Sequence, residues 1–172
     1  MHNNLQGVEK IDAILNNFLQ EFGATAKLGE DFACYCRKEK EKVIFYSLYI
    51  YEEEHKWFED NWKIIAPDII CDPFLSSFFH ELGHIVTAKE FSDFEWSQYF
   101  LDLANIEATV KPDAELSDLK EVNELYFQFP IEKRATEWGA NYMREHANKV
   151  AELWNELTEA FMEVYELNEV EI

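Results

Sequence analysis

The chain has 172 residues, of which 48% are hydrophobic and 16% aromatic, which predicts one folded domain spanning residues 1–172 and excludes a disordered chain. Its formal net charge of −20 disfavours direct binding to nucleic acid or to anionic membranes, since both require a basic surface. No apolar run is long enough for a membrane helix, and the segment Met1–Gly7 shows no secretory signal, so we expect a cytoplasmic protein.

The first third of the chain predicts one helix and two strands. Apolar residues recur at helical spacing over Leu5–Phe22, which indicates an amphipathic helix that ends at Gly23. Two strands are predicted at Phe32–Arg37 and Val43–Tyr51, joined by a charged turn. The three cysteines show no disulfide framework, which predicts reduced thiols.

The most specific pattern is His80-Glu81-Leu82-Gly83-His84, which spells H-E-x-x-H. Histidines four residues apart lie on one face of a helix, so both imidazoles can bind a single metal ion. Glu81 is poorly aligned to be a third ligand, but it can act as a general base on a water at that ion.

The flanking residues favour a helix at this motif. Asp72 is suited to be the N-cap and Pro73 the first helical residue. An apolar face for burial is predicted from residues at helical spacing, namely Phe74, Phe78, Leu82 and Ile85. Gly83 costs about 1 kcal/mol against alanine in a helix, which is tolerable where a backbone or a substrate approaches closely.

The rest of the chain is predicted to be mainly helical. An aromatic-rich helix is expected at Phe91–Ile106, a loop at Lys111–Ser117 and a short helix at 117–128. Two amphipathic helices follow, at 131–146 and 148–166. A helix, a small antiparallel sheet and then a run of helices predict the α+β class.

A third metal ligand is expected from the helix at 131–146, where Glu132 and Glu137 compete. The two acids lie about 140° apart around a helix, so they cannot face the same ion. Glu132 borders the apolar stripe of this helix, and Glu137 lies nearer the opposite side. Both stay candidates on this reasoning.

The two motifs together resemble those of a known group of enzymes. H-E-x-x-H followed by Glu132-x-x-Ala135-Thr136-x-Trp138-Gly139 is similar to the gluzincin pattern, and most similar to the small ImmA/IrrE-like metallopeptidases of bacteria, phages and mobile elements. The resemblance covers roughly residues 65–145, with fixed identities only at the two motifs.

The resemblance implies a minimal zincin-like domain whose active helix lies beside a small sheet. It implies that Zn²⁺ is held by His80, His84 and Glu132. It also implies that the residue at position 136 supports the ligands without binding the ion itself. The family usually has Asp or Asn there, and this chain has Thr136. An edge strand of the sheet commonly pairs with the substrate, and Val43–Tyr51 is our candidate for that edge.

The predicted function is zinc-dependent hydrolysis of a peptide bond, with Glu81 as the general base and an intracellular regulatory protein as the substrate. The residue that stabilises the oxyanion stays open among Tyr126, Tyr142 and His146. Two alternatives also stay open. One is a catalytically inactive zinc-binding regulatory protein, and the other is an acidic protein that mimics nucleic acid and binds a basic partner.

Overall fold

A computed structural model describes residues 3–30, 32–37, 41–48, 60, 62–69, 72–108 and 124–166. The chain divides into two compact units, Met1–Tyr49 with Tyr142–Ile172, and Ile50–Asn141. That it forms one domain stays a prediction. In the described parts of the chain, no helix has both the length and the apolar composition that crossing a membrane requires.

The main elements confirm a mostly helical α+β chain with a small sheet. In chain order they are α1 (Asn3–Leu19), β1 (Thr25–Leu28), β2 (Ala33–Arg37), β3 (Glu41–Tyr46), α2 (Pro73–Thr87), α3 (Asp93–Glu107), α4 (Pro130–Glu145) and α5 (Ala147–Glu166). The predicted loop at 111–117 and most of the predicted short helix at 117–128 lie outside the described residues.

In the first unit, α1 and α5 pack against each other and α1 also contacts β1. The predicted end of the first helix is confirmed, because a 3-10 turn at Gln20–Phe22 follows α1 and Gly23 then adopts a φ of 62°. The two helices supply much of the buried apolar core of this unit, which includes Ile11, Leu15, Leu19, Leu153, Leu157 and Ala160.

The sheet is mixed, with the strand order β1-β3-β2. β3 pairs in parallel with β1 and antiparallel with β2, so the predictions of an antiparallel sheet and of an exposed edge at Val43–Tyr51 were wrong. The physical reason is topological. β1 and β2 run in opposite directions and leave a gap between them, and β3, which fills the gap, must be parallel to one of its neighbours.

The outer edge of β1 is covered by a side chain of α1. The Asn16 amide donates to the carbonyl of Ala26 at 3.1 Å, and the Ala26 N–H donates to the Asn16 side-chain oxygen at 2.9 Å. An asparagine side chain carries the same donor and acceptor as a peptide group. Asn16 therefore takes the place that a neighbouring strand would occupy at Ala26.

In the second unit, α2 begins as the sequence predicts. The Asp72 carboxylate accepts a hydrogen bond from the Phe74 N–H at 2.7 Å, and Pro73 is the first helical residue. The predicted apolar face of the helix is confirmed, since Phe74, Phe78, Leu82 and Ile85 are all buried. α3 begins with a capping box between Ser92 and Glu95.

Two glycines allow the backbones of α2 and α4 to approach closely. A Cβ placed on Gly83 would lie 2.2 Å from the carbonyl oxygen of Ala135, and one on Gly139 would lie 2.7 Å from the carbonyl oxygen of Phe79. Each helix thus supplies the glycine that accommodates the backbone of the other. The expectation that Gly83 serves a close backbone approach is confirmed, and this approach brings both motifs together.

Candidate metal centre

His80, His84 and Glu132 form a buried cluster in the second unit. The two histidines come from α2, one helical turn apart, and Glu132 comes from the first turn of α4. The Glu132 Oε2 atom lies 3.0 Å from His80 Nε2 and 3.1 Å from His84 Nε2, and the two Nε2 atoms are 3.1 Å apart. Only 2%, 7% and 0% of His80, His84 and Glu132 are exposed. These three residues are positioned to hold a metal ion.

The geometry of the three atoms fits a tripod of metal ligands. A tetrahedral ion with ligands at 2.0–2.1 Å has neighbouring ligand atoms about 3.3 Å apart. The observed separations of 3.0–3.1 Å are close to this value, so a small outward movement would admit an ion. Three protein ligands would leave one position of a four-coordinate ion for a further ligand.

Between the two acids that competed from sequence, the structure brings Glu132 to the histidines. Glu137 is not part of the cluster. The hydrogen bond that Arg134 donates to Glu90 is the main cause that raises the pKa of Arg134, and the charge of Glu137 makes a minor contribution. Arg134 donates to both carboxylate oxygens of Glu90, at 2.6 and 2.9 Å. Because Glu90 lies just after α2, this pair links the end of α2 to α4.

Thr136 contacts His80 at Nδ1, the ring nitrogen that does not face the cluster. The resemblance implies such a supporting contact at this position. The Thr136 hydroxyl donates its one hydrogen to the carbonyl oxygen of Glu132 at 3.0 Å. Its 2.9 Å contact with His80 Nδ1 is therefore one in which the hydroxyl accepts and Nδ1–H donates. With a metal ion bound, this contact would favour the neutral His80 tautomer that keeps its lone pair on Nε2, the atom that faces the cluster. Threonine thus supplies the tautomer control usually provided by a carboxylate.

Thr136→Val tests this role, because valine keeps the shape of the side chain and removes only the hydroxyl. His80 Nδ1–H then loses its acceptor, and we expect the affinity for Zn²⁺ to fall roughly 10- to 100-fold. Titration with a competing chelator measures the change. Thr158→Val is the control, since the Thr158 hydroxyl donates to the Trp154 carbonyl in α5 at 2.8 Å, away from the cluster. Unchanged affinity in Thr136→Val would contradict the assignment.

The charges of the cluster would favour a cation between its three residues. Burial opposes a charge on Glu132, but hydrogen bonds with His80 and His84 outweigh it and hold the pKa of the carboxyl well below its usual range. Burial likewise opposes a charge on His84, yet its hydrogen bond and ionic attraction to Glu132 raise the pKa of the imidazole. The lone pairs of His80 Nε2, His84 Nε2 and Glu132 Oε2 face one another and would repel. A proton or a metal ion between these atoms can supply the positive charge that offsets the repulsion.

Two phenols complete the surroundings of Glu132. Tyr99, on α3, donates a short hydrogen bond to Glu132 Oε1, the carboxylate oxygen that does not face the histidines. Burial and the charge of Glu132 raise the pKa values of Tyr99 and Tyr126 well above their usual range. Both hydroxyls therefore stay protonated at neutral pH and can donate hydrogen bonds.

The remaining predicted site residues separate into those near the cluster and those elsewhere. Glu81 is half-buried on α2, and its charge acts on His84 and on both phenols. Of the three candidates for the oxyanion, Tyr126 lies beside Glu132. Tyr142 donates instead to Glu21 at 2.9 Å in the first unit, and its ring is 4.4 Å from that of His146.

The residue missed by the sequence reasoning is Tyr99. It lies in the aromatic-rich helix predicted at Phe91–Ile106, and its contact with Glu132 spans 33 residues. One signal was available, because a buried tyrosine normally needs a partner for its hydroxyl.

Comparisons of the chain with models of protein families, with curated proteins and with solved structures gave no match.

Proposed function

We propose that the protein is a zinc-dependent peptidase of the H-E-x-x-H type, with Glu132 as the third ligand. The observation that carries the proposal is the meeting of His80, His84 and Glu132 in one buried cluster, in which both histidines lie on the helix that also bears Glu81. A buried two-histidine, one-carboxylate set with an open side is the ligand set of catalytic zinc sites in peptidases.

Zinc is proposed because two imidazoles and one carboxylate suit it, whereas Mg²⁺ and Ca²⁺ prefer oxygen ligands alone. When bound, the ion would lower the pKa of a coordinated water to about 7 and polarise the substrate carbonyl. Residues of the chain carry out the proton transfers and the hydrogen bonding to the oxyanion. Glu81 removes the proton from the attacking water and passes it to the leaving amine. Tyr126, which is protonated and lies beside Glu132, is proposed to turn its hydroxyl to the oxyanion and donate a hydrogen bond to it.

The proposed substrate is a peptide segment of an intracellular regulatory protein. The formal net charge of −20 favours substrates with basic residues, because opposite charges speed encounter and like charges slow it. The resemblance to the ImmA/IrrE-like enzymes supports a single regulatory protein as the target, within a bacterium, phage or mobile element.

Glu81→Gln tests the proposed reaction. Glutamine has nearly the same shape but cannot take a proton, so we expect normal zinc content and a fall in hydrolysis of roughly 10²- to 10⁴-fold. Zinc-loaded protein is incubated with a peptide library made from a digested proteome, and new termini are counted by mass spectrometry. Glu137→Gln, the same change on an acid outside the cluster, is the control and should cleave at the native rate.

The outcomes separate the alternatives. Cleavage by Glu81→Gln at the native rate would remove Glu81 from the reaction. A native protein that holds zinc and cleaves no peptide would favour the inactive zinc-binding regulatory protein. A native protein that binds no zinc would overturn the proposal. It would favour the alternative of an acidic protein that binds a basic partner.

A further inference from the structure

The two oxygens of Glu132 have different neighbours. Oε2 faces both histidine Nε2 atoms, at 3.0 and 3.1 Å, whereas Oε1 accepts the hydrogen bond from the Tyr99 hydroxyl. A carboxylate can bind a metal ion through one oxygen or through both. An oxygen that already accepts a hydrogen bond from a phenol is less available to a metal ion.

Tyr99 is itself held firmly in place. It is 8% exposed, and the Phe129 ring stands perpendicular to its ring at a centroid distance of 5.6 Å. The ring of Trp96 also packs edge-on against Tyr99, at a centroid distance of 5.9 Å. Trp96 also donates to the carbonyl of Ala88 at 3.0 Å, which ties α3 to the end of α2. The phenol is thus fixed relative to the histidine helix.

We propose that Tyr99 is a positioning residue that makes Glu132 a one-oxygen ligand and so keeps a coordination position open. The inference rests on the proposed metal site and goes beyond it. Without the Tyr99 hydroxyl, Oε1 would lose this hydrogen bond, and it could then turn toward the ion and occupy the position that a water or a substrate carbonyl needs. The hydroxyl would then act on the reaction through Glu132, without touching the substrate.

Co²⁺ is the probe for this proposal, because its visible absorption is strong in four-coordinate sites and weakens as the coordination number rises. Native protein loaded with Co²⁺ should show the intense bands of a four-coordinate ion. Tyr99→Phe should bind Co²⁺ with a clearly weaker band, and its affinity for Zn²⁺ should fall roughly 10- to 100-fold.

Tyr46→Phe is the matched control. Tyr46 is also fully buried, and its hydroxyl also donates to a carboxylate, that of Asp12 at 2.9 Å, but both residues belong to the first unit. It should lose stability as Tyr99→Phe does, because each change removes a hydrogen bond from a buried tyrosine to a carboxylate. Its Co²⁺ spectrum and Zn²⁺ affinity should remain native.

Two results would overturn the proposal. One is a Tyr99→Phe spectrum identical to that of the native protein. The other needs no variant, and is a native Co²⁺ spectrum already showing the weak bands of a five- or six-coordinate ion. A native protein that takes up no metal would instead refute the metal site itself. A native protein that binds metal and cleaves nothing would refute the peptidase and leave the role of Tyr99 intact.

Discussion

Glu132→Ala is expected to purify without metal, whereas Glu137→Ala is expected to retain about one zinc ion per chain. Glu132 supplies the only carboxylate oxygen in the cluster among the described residues, and its removal leaves two neutral imidazoles as ligands. Loss of a residue that merely supports a ligand costs 10- to 100-fold in affinity, so loss of the ligand itself should exceed about 100-fold. Elemental analysis of protein purified without added metal measures the difference.

Thermal unfolding gives an independent reading of the same variants. A ligand that binds only the folded state stabilises it by about 2.7 kcal/mol at a free concentration 100 times its dissociation constant. Added Zn²⁺ should therefore raise the melting temperature of the native protein and of Glu137→Ala, and leave that of Glu132→Ala unchanged. Zinc kept by Glu132→Ala and lost by Glu137→Ala would reverse the assignment of the third ligand.

Gly83→Ala is expected to destabilise the protein and to abolish tight zinc binding at the same time. The added methyl group would lie 2.2 Å from the carbonyl oxygen of Ala135, and 2.8 and 2.9 Å from its carbonyl carbon and Cα. These are backbone atoms, so no change of side-chain rotamer relieves the clash and the helices must separate. Overpacking of this kind costs about 1–3 kcal/mol and occasionally more. Separation also moves Glu132 away from both histidines.

Gly23→Ala provides the control for Gly83→Ala. Gly23 has a φ of 62° and open space around its Cβ position, so alanine there is strained by its backbone alone. That strain costs about 1–2 kcal/mol. Denaturant unfolding should show comparable losses in both variants, with zinc affinity changed only in Gly83→Ala. A Gly83→Ala protein that binds zinc as the native chain does would show that the close crossing is not needed for the site.

The sequence was most informative where the signal is local. The start of α2 followed from Asp72 and Pro73, because an N-cap and a proline at the first helical position act within one turn. The spacing of His80 and His84 placed two ligands on one helix face for the same reason. The third ligand could be narrowed to two acids, Glu132 and Glu137. The sequence could not decide between them, because the choice depends on how α4 is rotated against α2.

What could not be predicted depends on contacts between distant parts of the chain. β1 was missed because Thr25–Leu28 is only four residues long and has a single buried side chain, Ala26, so it shows no alternating pattern. The insertion of β3 between β1 and β2 is likewise a matter of topology. The role of Tyr99 could not be predicted, because the sequence of an aromatic-rich helix does not indicate which distant carboxylate a tyrosine hydroxyl will contact.

The asparagine that covers β1 has a consequence for self-association. An uncovered strand edge presents unpaired N–H and carbonyl groups, and a second copy of a protein can pair with them and begin an aggregate. At Ala26 both groups are already satisfied by Asn16, so an approaching strand must first break two hydrogen bonds. One helix side chain thus opposes growth of the sheet on this side.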